Sequence, residues 1–215
     1  MNKEDILNRF CERYPLLSKV KNSIGEAASL LIDCFNGGGK LLVCGNGGSS
    51  SDSEHVVGEL MKSFESGRPL GKNVKERLTE IADERGEYLA QKLESGFPAI
   101  SLSAQTSLTT AICNDIDPNL VFAQQVIGYG SEKDLMMGIS TSGNSQNVVD
   151  ACIAAKALNM KVIGITGETG GSMKQYCDVL VNVPAIRTAH VQELHLPVLH
   201  SLCQIVEDHF YGNHN

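Results

Sequence analysis

Tryptophan is absent from the 215 residues, aromatics supply only 5% of them, and the seven cysteines include no Cys-x-x-Cys pair. Cys11, Cys34, Cys44, Cys113, Cys152, Cys177 and Cys203 are odd in number and scattered, so they read as reduced thiols, mostly in the core, and not as a disulfide framework. Positive charge is also short, with 18 Lys and Arg against 25 Asp and Glu and a net charge of −7. That balance lacks the footprint of a dedicated nucleic-acid binder, and no nucleic-acid partner is expected. No apolar run approaches the roughly 20 residues that cross a bilayer. The opening Met1-Asn2-Lys3-Glu4-Asp5 is not that of a signal peptide, so no membrane association and a cytoplasmic location are expected.

Glycine, in contrast, is plentiful at 21 residues, and 42% of the chain is hydrophobic, enough for the core of one α/β domain over residues 1–215. Two helical patterns fill the first 36 residues, the second marked by Val20, Ile24, Ala27, Ala28, Leu31 and Cys34. Asn36-Gly37-Gly38-Gly39 ends it. Lys40–Cys44 is then a short apolar run bounded by glycines, as a parallel strand covered on both faces should be. Similar runs recur at Pro98–Leu102, Leu135–Ile139, Val162–Ile165 and Val179–Val183, with helical patterns between most of them. Right-handed crossovers then predict a three-layer αβα sandwich around a five-stranded parallel sheet. Residues 62–97 interrupt the rhythm: Arg68-Pro69-Leu70-Gly71 reads as a loop, and Val74–Leu93 as a charged helical segment broken near Gly86. About 36 residues are too few for an independent core, so the stretch is a helical insertion. A final helix, Thr188–Phe210, contains Pro197.

Two loops carry the first chemical signal. Gly45-Asn46-Gly47-Gly48-Ser49-Ser50-Ser51 leaves the first strand and opens a helix, where backbone N–H groups and hydroxyls suit an anion. Ser50 stands where the dinucleotide pattern needs its last glycine, and the Walker pattern is missing. Ser140-Thr141-Ser142-Gly143-Asn144-Ser145 repeats the arrangement before a helix starting near Gln146, with more hydroxyls than capping alone requires. His55 and Glu59, at i and i+4, share one helix face, a spacing that serves a metal, a proton transfer or a plain surface contact. Asn114-Asp115 lies on the loop edge, either as a hydroxyl-binding pair or as a helix-ending turn. The last helix offers Gln192, Glu193, His195 and His200. His195 could equally be a hydrogen-bonded core residue, and His209 and His214 read as surface residues.

Together, Gly45-Asn46-Gly47-Gly48-Ser49 with Asp52, His55 and Glu59, Asn114-Asp115, Ser140 to Ser145, and Gln192-Glu193-Leu194-His195 through His200 resemble the sugar isomerase (SIS) domain, most of all its phosphoheptose isomerase branch. The resemblance implies a single SIS domain over 1–215, with 62–97 inserted. It implies conversion of D-sedoheptulose 7-phosphate to D-glycero-D-manno-heptose 7-phosphate, a first step toward the heptose of lipopolysaccharide. Asn46, Gly47, Gly48, Glu59, Asn114, Asp115 and Gln192 would contact the sugar, and Ser140, Thr141, Ser142 and Ser145 its phosphate. His55, Glu59, Gln192 and His200 would bind one Zn²⁺ per subunit, with Glu59 and His200 also the acid/base pair. A homotetramer with sites between subunits is implied as well.

Those residue types suit an enediol mechanism, in which a carboxylate takes a proton from carbon and an imidazole serves the oxygens. A zinc-bound Glu59 would be a weaker base, so the metal would be either a Lewis acid or structural. Gln192 and His200 are about 12 Å apart along an ideal helix, so either long side chains converge, helped by Pro197, or neighbouring subunits share the ion. Three departures bear on the substrate: the insertion is longer than in typical members, His190 replaces a usual Arg, and Pro197 is unusual. The competing reading is a non-catalytic SIS protein that binds a sugar phosphate or a replication initiator, or an isomerase of another sugar phosphate.

Overall fold

A computed structural model describes residues 2–212. Helix α1 (Lys3–Arg13) begins at a reciprocal cap, in which the Asn2 side chain accepts from the Asp5 N–H and the Asp5 carboxylate accepts from the Asn2 N–H. After a 3₁₀ turn at Pro15–Val20, α2 (Lys21–Asn36) buries Ile24, Ala27, Ala28, Leu31 and Cys34, the stripe expected from the periodicity. Strand β1 (Leu41–Gly45) is buried throughout and feeds α3 (Gly48–Met61). The sheet continues with β2 (Ala99–Ser101), β3 (Leu135–Ser140), β4 (Lys161–Thr166) and β5 (Val179–Asn182). Helices α5 (Thr106–Asp115), α6 (Ala123–Tyr129) and α7 (Gln146–Ala157) lie between β2 and β4 in sequence, and α8 (Thr188–Tyr211) closes the order. All five expected strands form, within a residue or so of their expected ends. β2 is shorter because Leu102 already begins a 3₁₀ turn.

All strand pairs are parallel, in the order β2-β1-β3-β4-β5. Alternate strand residues face opposite layers. Leu41, Val43, Met137, Ile139, Ile163 and Val181 join the core under α1, α2, α3 and α8, whereas Leu42, Cys44, Met136 and Val162 join that under α5, α6 and α7. Each fully buried Leu or Val in these layers contributes roughly 1.5–3 kcal/mol. The chain leaves β1 toward β2 on one side, while β3 lies on the other. This reversal opens a crevice beyond the carboxyl ends of β1 and β3, where open α/β sheets bind ligands.

The insertion is one kinked helical arm, α4 (Lys72–Lys92). Its break falls at Ala82–Asp83, where Asp83 has φ +38°, and not at Gly86 as expected. Gly86 instead marks where the two limbs touch, since a Cβ there would lie 1.9 Å from the Leu78 carbonyl oxygen. The arm is tied at its neck by a Pro69–Glu94 bridge and by the Ser95 N–H donating to the Arg68 carbonyl at 2.8 Å. Among the described residues no helix is long and apolar enough to cross a membrane.

Candidate active site

Both hydroxyl-rich loops sit at the crevice, one after β1 and the other after β3. Gly47 takes φ +57° just before α3, and Gly48 leaves room for a neighbour: a Cβ there would come within 2.4 Å of Gln192 Nε2. In the second loop Gly143 has φ +68° and packs so closely on Gly170 that a Cβ would lie 2.1 Å from its carbonyl oxygen. That loop is braced further by N–H donation from Gly167 to the Thr141 carbonyl (3.0 Å), from Met173 to the Gly143 carbonyl (2.9 Å) and from Ser172 to Asn144 Oδ1 (2.8 Å). The Ser140 and Ser145 hydroxyls are 3.0 Å apart, Ser140 being buried and Ser142 exposed. Ser145 precedes α7, so the positive end of that helix faces the cradle, which suits a phosphate without help from Lys or Arg.

Asn46 and Asn147 join the two loops with a reciprocal amide pair. Both line a cavity of about 320 Å³ together with Gly47, Ser50, Ser103 and Cys113. Asn114 and Asp115 form the exposed last turn of α5 and do not follow it, with Asn114 Nδ2 donating to Asp115 Oδ1 at 2.7 Å.

The second half of the site lies between α3 and α8, which run side by side in three rungs. Gly48 meets Gln192, His55 meets His200, and the Glu59–Leu60 turn is joined to Glu207 through Arg68. His55 Nε2 is the hub, 2.9 Å from His200 Nε2 and 3.4 Å from Glu59 Oε1. Lys62 Nζ holds the other Glu59 oxygen at 3.2 Å. Burial first, and then His55, hold His200 below the usual imidazole range, against the pull of Glu59 and Glu65. Its ring is therefore neutral near pH 7, able to accept one proton and to give one. Asp52, earlier on α3, is pushed up by burial, with His55 opposing, and its Oδ2 is buried without a hydrogen-bond partner among the described residues.

Of the four residues expected on zinc, His55, Glu59 and His200 meet, while Gln192 rests one rung away over Gly48. Among the described residues no group of three or more His, Cys, Asp or Glu is gathered tightly enough to hold an ion. Helix α8 runs on through Pro197. His195 belongs to the core, fully buried and facing the backbone of Thr166. His190 and His209 are exposed, and His214 lies outside the described residues. Arg68, Glu207 and Asn147 were not singled out from the sequence. Arg68 stood in a loop of ordinary composition, and only the fold shows that it is buried.

The SIS domain family profile matches residues 12–167. A phosphoheptose isomerase of Campylobacter jejuni is 39% identical over 191 residues, covering 89% of each chain, and one from Helicobacter pylori is 38% identical over 194 residues, covering 90% of this chain and 88% of its own. Among solved structures, a phosphoheptose isomerase from Neisseria gonorrhoeae aligns with a TM-score of 0.72 at 32% identity, over 95% of this chain and 98% of that one. One from Francisella tularensis aligns with a TM-score of 0.73 at 30% identity, over 97% and 100%. A five-stranded parallel sheet with two hydroxyl-rich loops at its crevice, joined to these likenesses along nearly the whole chain, makes it a member of the SIS-domain phosphoheptose isomerase family.

Proposed function

We propose that this protein is an aldose–ketose isomerase that converts D-sedoheptulose 7-phosphate to D-glycero-D-manno-heptose 7-phosphate. The observation that carries the reading is the meeting of Glu59 and His200 at His55, on the helix pair α3 and α8 that runs from the crevice. A module that only binds sugar phosphate has no chemical need for that pair. In this reading the Ser140, Thr141, Ser142 and Ser145 hydroxyls and the start of α7 hold the phosphate. Asn46, Gly47, Gly48, Asn114, Asp115 and Gln192 hold the sugar. The Glu59 carboxylate takes the proton from the carbon beside the carbonyl and returns it to the neighbouring carbon, and neutral His200 moves protons between the oxygens of the enediol.

Zinc fits the donor chemistry, since two imidazole nitrogens and a carboxylate are among its usual ligands and the nitrogens of His55 and His200 converge. His55, Glu59 and His200 are the residues that would hold it, drawing closer than they stand here, with Gln192 as the fourth donor. The chemistry it would supply there is Lewis-acid polarisation of the substrate's carbonyl oxygen. A homotetramer is the proposed assembly, supported by exposed Leu16 and Ile186 in one groove at the start of α8. The cytoplasm is the proposed location, where a phosphorylated sugar would be retained.

The test is to incubate the purified protein with a panel of ketose phosphates, with and without zinc, and to follow the aldose product. Formation of heptose 7-phosphate is expected. Tight binding of sugar phosphates with no turnover on any of them would overturn the catalytic reading in favour of the sugar-phosphate-binding one. Metal analysis and light scattering on the same preparation check the zinc and the tetramer.

A further inference from the structure

We propose that Arg68 and Glu207 are positioning residues for the reaction, setting the Glu59 carboxylate against the His200 imidazole by tying the end of α3 to α8. The proposal rests on the acid/base reading of those two residues.

Arg68 is fully buried and Glu207 is 1% exposed. Arg68 Nε donates to Glu207 Oε1 at 2.7 Å. Its two terminal nitrogens donate to the carbonyls of Leu60, at 2.7 Å, and of Glu59 itself, at 3.0 Å. The guanidinium lies 4.7 Å over the Phe97 ring, which fixes its plane. The last carbonyls of a helix have no partner within it, and here one planar fork donates to two of them, the Leu60 carbonyl accepting from the Phe97 N–H as well, at 2.9 Å. Lysine has no such fork.

Glu207 completes the tie from the other side. Beyond Arg68 it accepts N–H bonds from Phe64 (2.8 Å), Glu65 (2.7 Å) and Ser66 (2.7 Å). It lies seven residues after His200, two turns along the same face of α8. The loop it gathers places the Phe64 ring 5.4 Å from the His200 ring. The acid and the base are thus each braced by the same ion pair, one through the backbone of its own residue and the other through its helix and an aromatic neighbour. A buried ion pair is a poor device for stability alone, since an apolar pair of similar volume usually serves as well. Its use here is geometric: misplacing a catalytic group by 1 Å can cost about 100-fold in rate.

The variants Arg68→Lys and Glu207→Gln would be assayed with sedoheptulose 7-phosphate, using thermal unfolding to set the assay temperature below their midpoints and to count folded molecules. Glu59→Gln serves as the reference for the acid/base reading. For Arg68→Lys the expected result is a kcat per folded molecule lowered about 10- to 100-fold with KM within twofold of wild type. Glu207→Gln keeps its shape and part of its bonding, and a loss of about tenfold with the same split is expected. A purely structural role would lower the midpoint and leave kcat per folded molecule unchanged. If either folded variant keeps kcat within twofold while Glu59→Gln is inactive, the tie is refuted and the acid/base reading stands. Full activity in Glu59→Gln overturns that reading, and this proposal with it.

Discussion

Asn46 and Asn147 face each other across the crevice with their amides paired in both directions, Nδ2 to Oδ1 at 2.8 Å and at 2.9 Å. One residue leaves β1 and the other lies in the first turn of α7, 101 positions later. The pair fixes which way the Asn46 amide points before any sugar arrives. Asn147→Ala removes the partner of a group read as a substrate contact. The net worth of such a bond, roughly 0.5–1.5 kcal/mol, converts to a KM raised about 2- to 10-fold. Steady-state kinetics check this, and an unchanged KM would separate Asn147 from substrate binding.

Glu59→Gln keeps the shape of the side chain and its place on α3 while removing the base. Isomerisation should fall by at least about 100-fold, the usual share of general base catalysis. Circular dichroism and the unfolding midpoint should stay near wild type, because Glu59 is partly exposed and, among the described residues, its side chain pairs with His55 and with exposed Lys62. Activity retained at wild-type level would remove Glu59 from the mechanism.

Gly48→Ala probes the first rung between α3 and α8. The added methyl would press on Gln192 Nε2, the far end of a flexible side chain, so the structure can yield by moving Gln192. Stability should change by less than about 1 kcal/mol, a small-to-large change relieved at low cost. Turnover should drop because Gln192 leaves the position from which it would reach the sugar. A calorimetric midpoint together with kcat and KM distinguishes this from general damage.

His195 predicts part of the acid limb of stability. Burial holds its pKa down to about 4 from the ordinary 6.5, with the Thr166 backbone pulling the other way. Below pH 6.5 the unfolded chain takes up a proton that the folded chain refuses until about pH 4. Stability present above pH 6.5 is therefore lost as pH falls through that window, by up to roughly 3 kcal/mol from this group. His195→Leu should flatten that part of the curve in urea titrations run from pH 7 to pH 4. An unchanged slope would show that His195 is not the group responsible.

What could be read from the sequence was what is local. The apolar runs at 40–44, 98–102, 135–139, 162–165 and 179–183 became five parallel strands because a strand covered on both faces needs no polar alternation. The two loops were legible because a helix start, glycine and hydroxyls together are a local pattern. The break in α4 was misjudged because glycine is the usual breaker, whereas here Asp83 adopts the positive φ and Gly86 serves a contact. Asn147, Arg68 and Glu207 were missed because their roles exist only as pairs, with Arg68 and Glu207 standing 139 positions apart. The relation of Gln192 to His200 was likewise open until the rungs showed a different α3 partner for each.

The contact between His55 and His200 spans 145 positions, and nearly the whole sheet is threaded between them. Forming it costs the entropy of closing a very long loop, which the intervening strands and helices must offset first. The residues of the phosphate cradle all precede β5, whereas the acid/base pair is complete only with α8, which also supplies Val191, Val198, Leu199, Leu202 and Val206 to the core. The phosphate cradle is thus local to the sheet edge, while the pair that would move the proton exists only once α8 has docked.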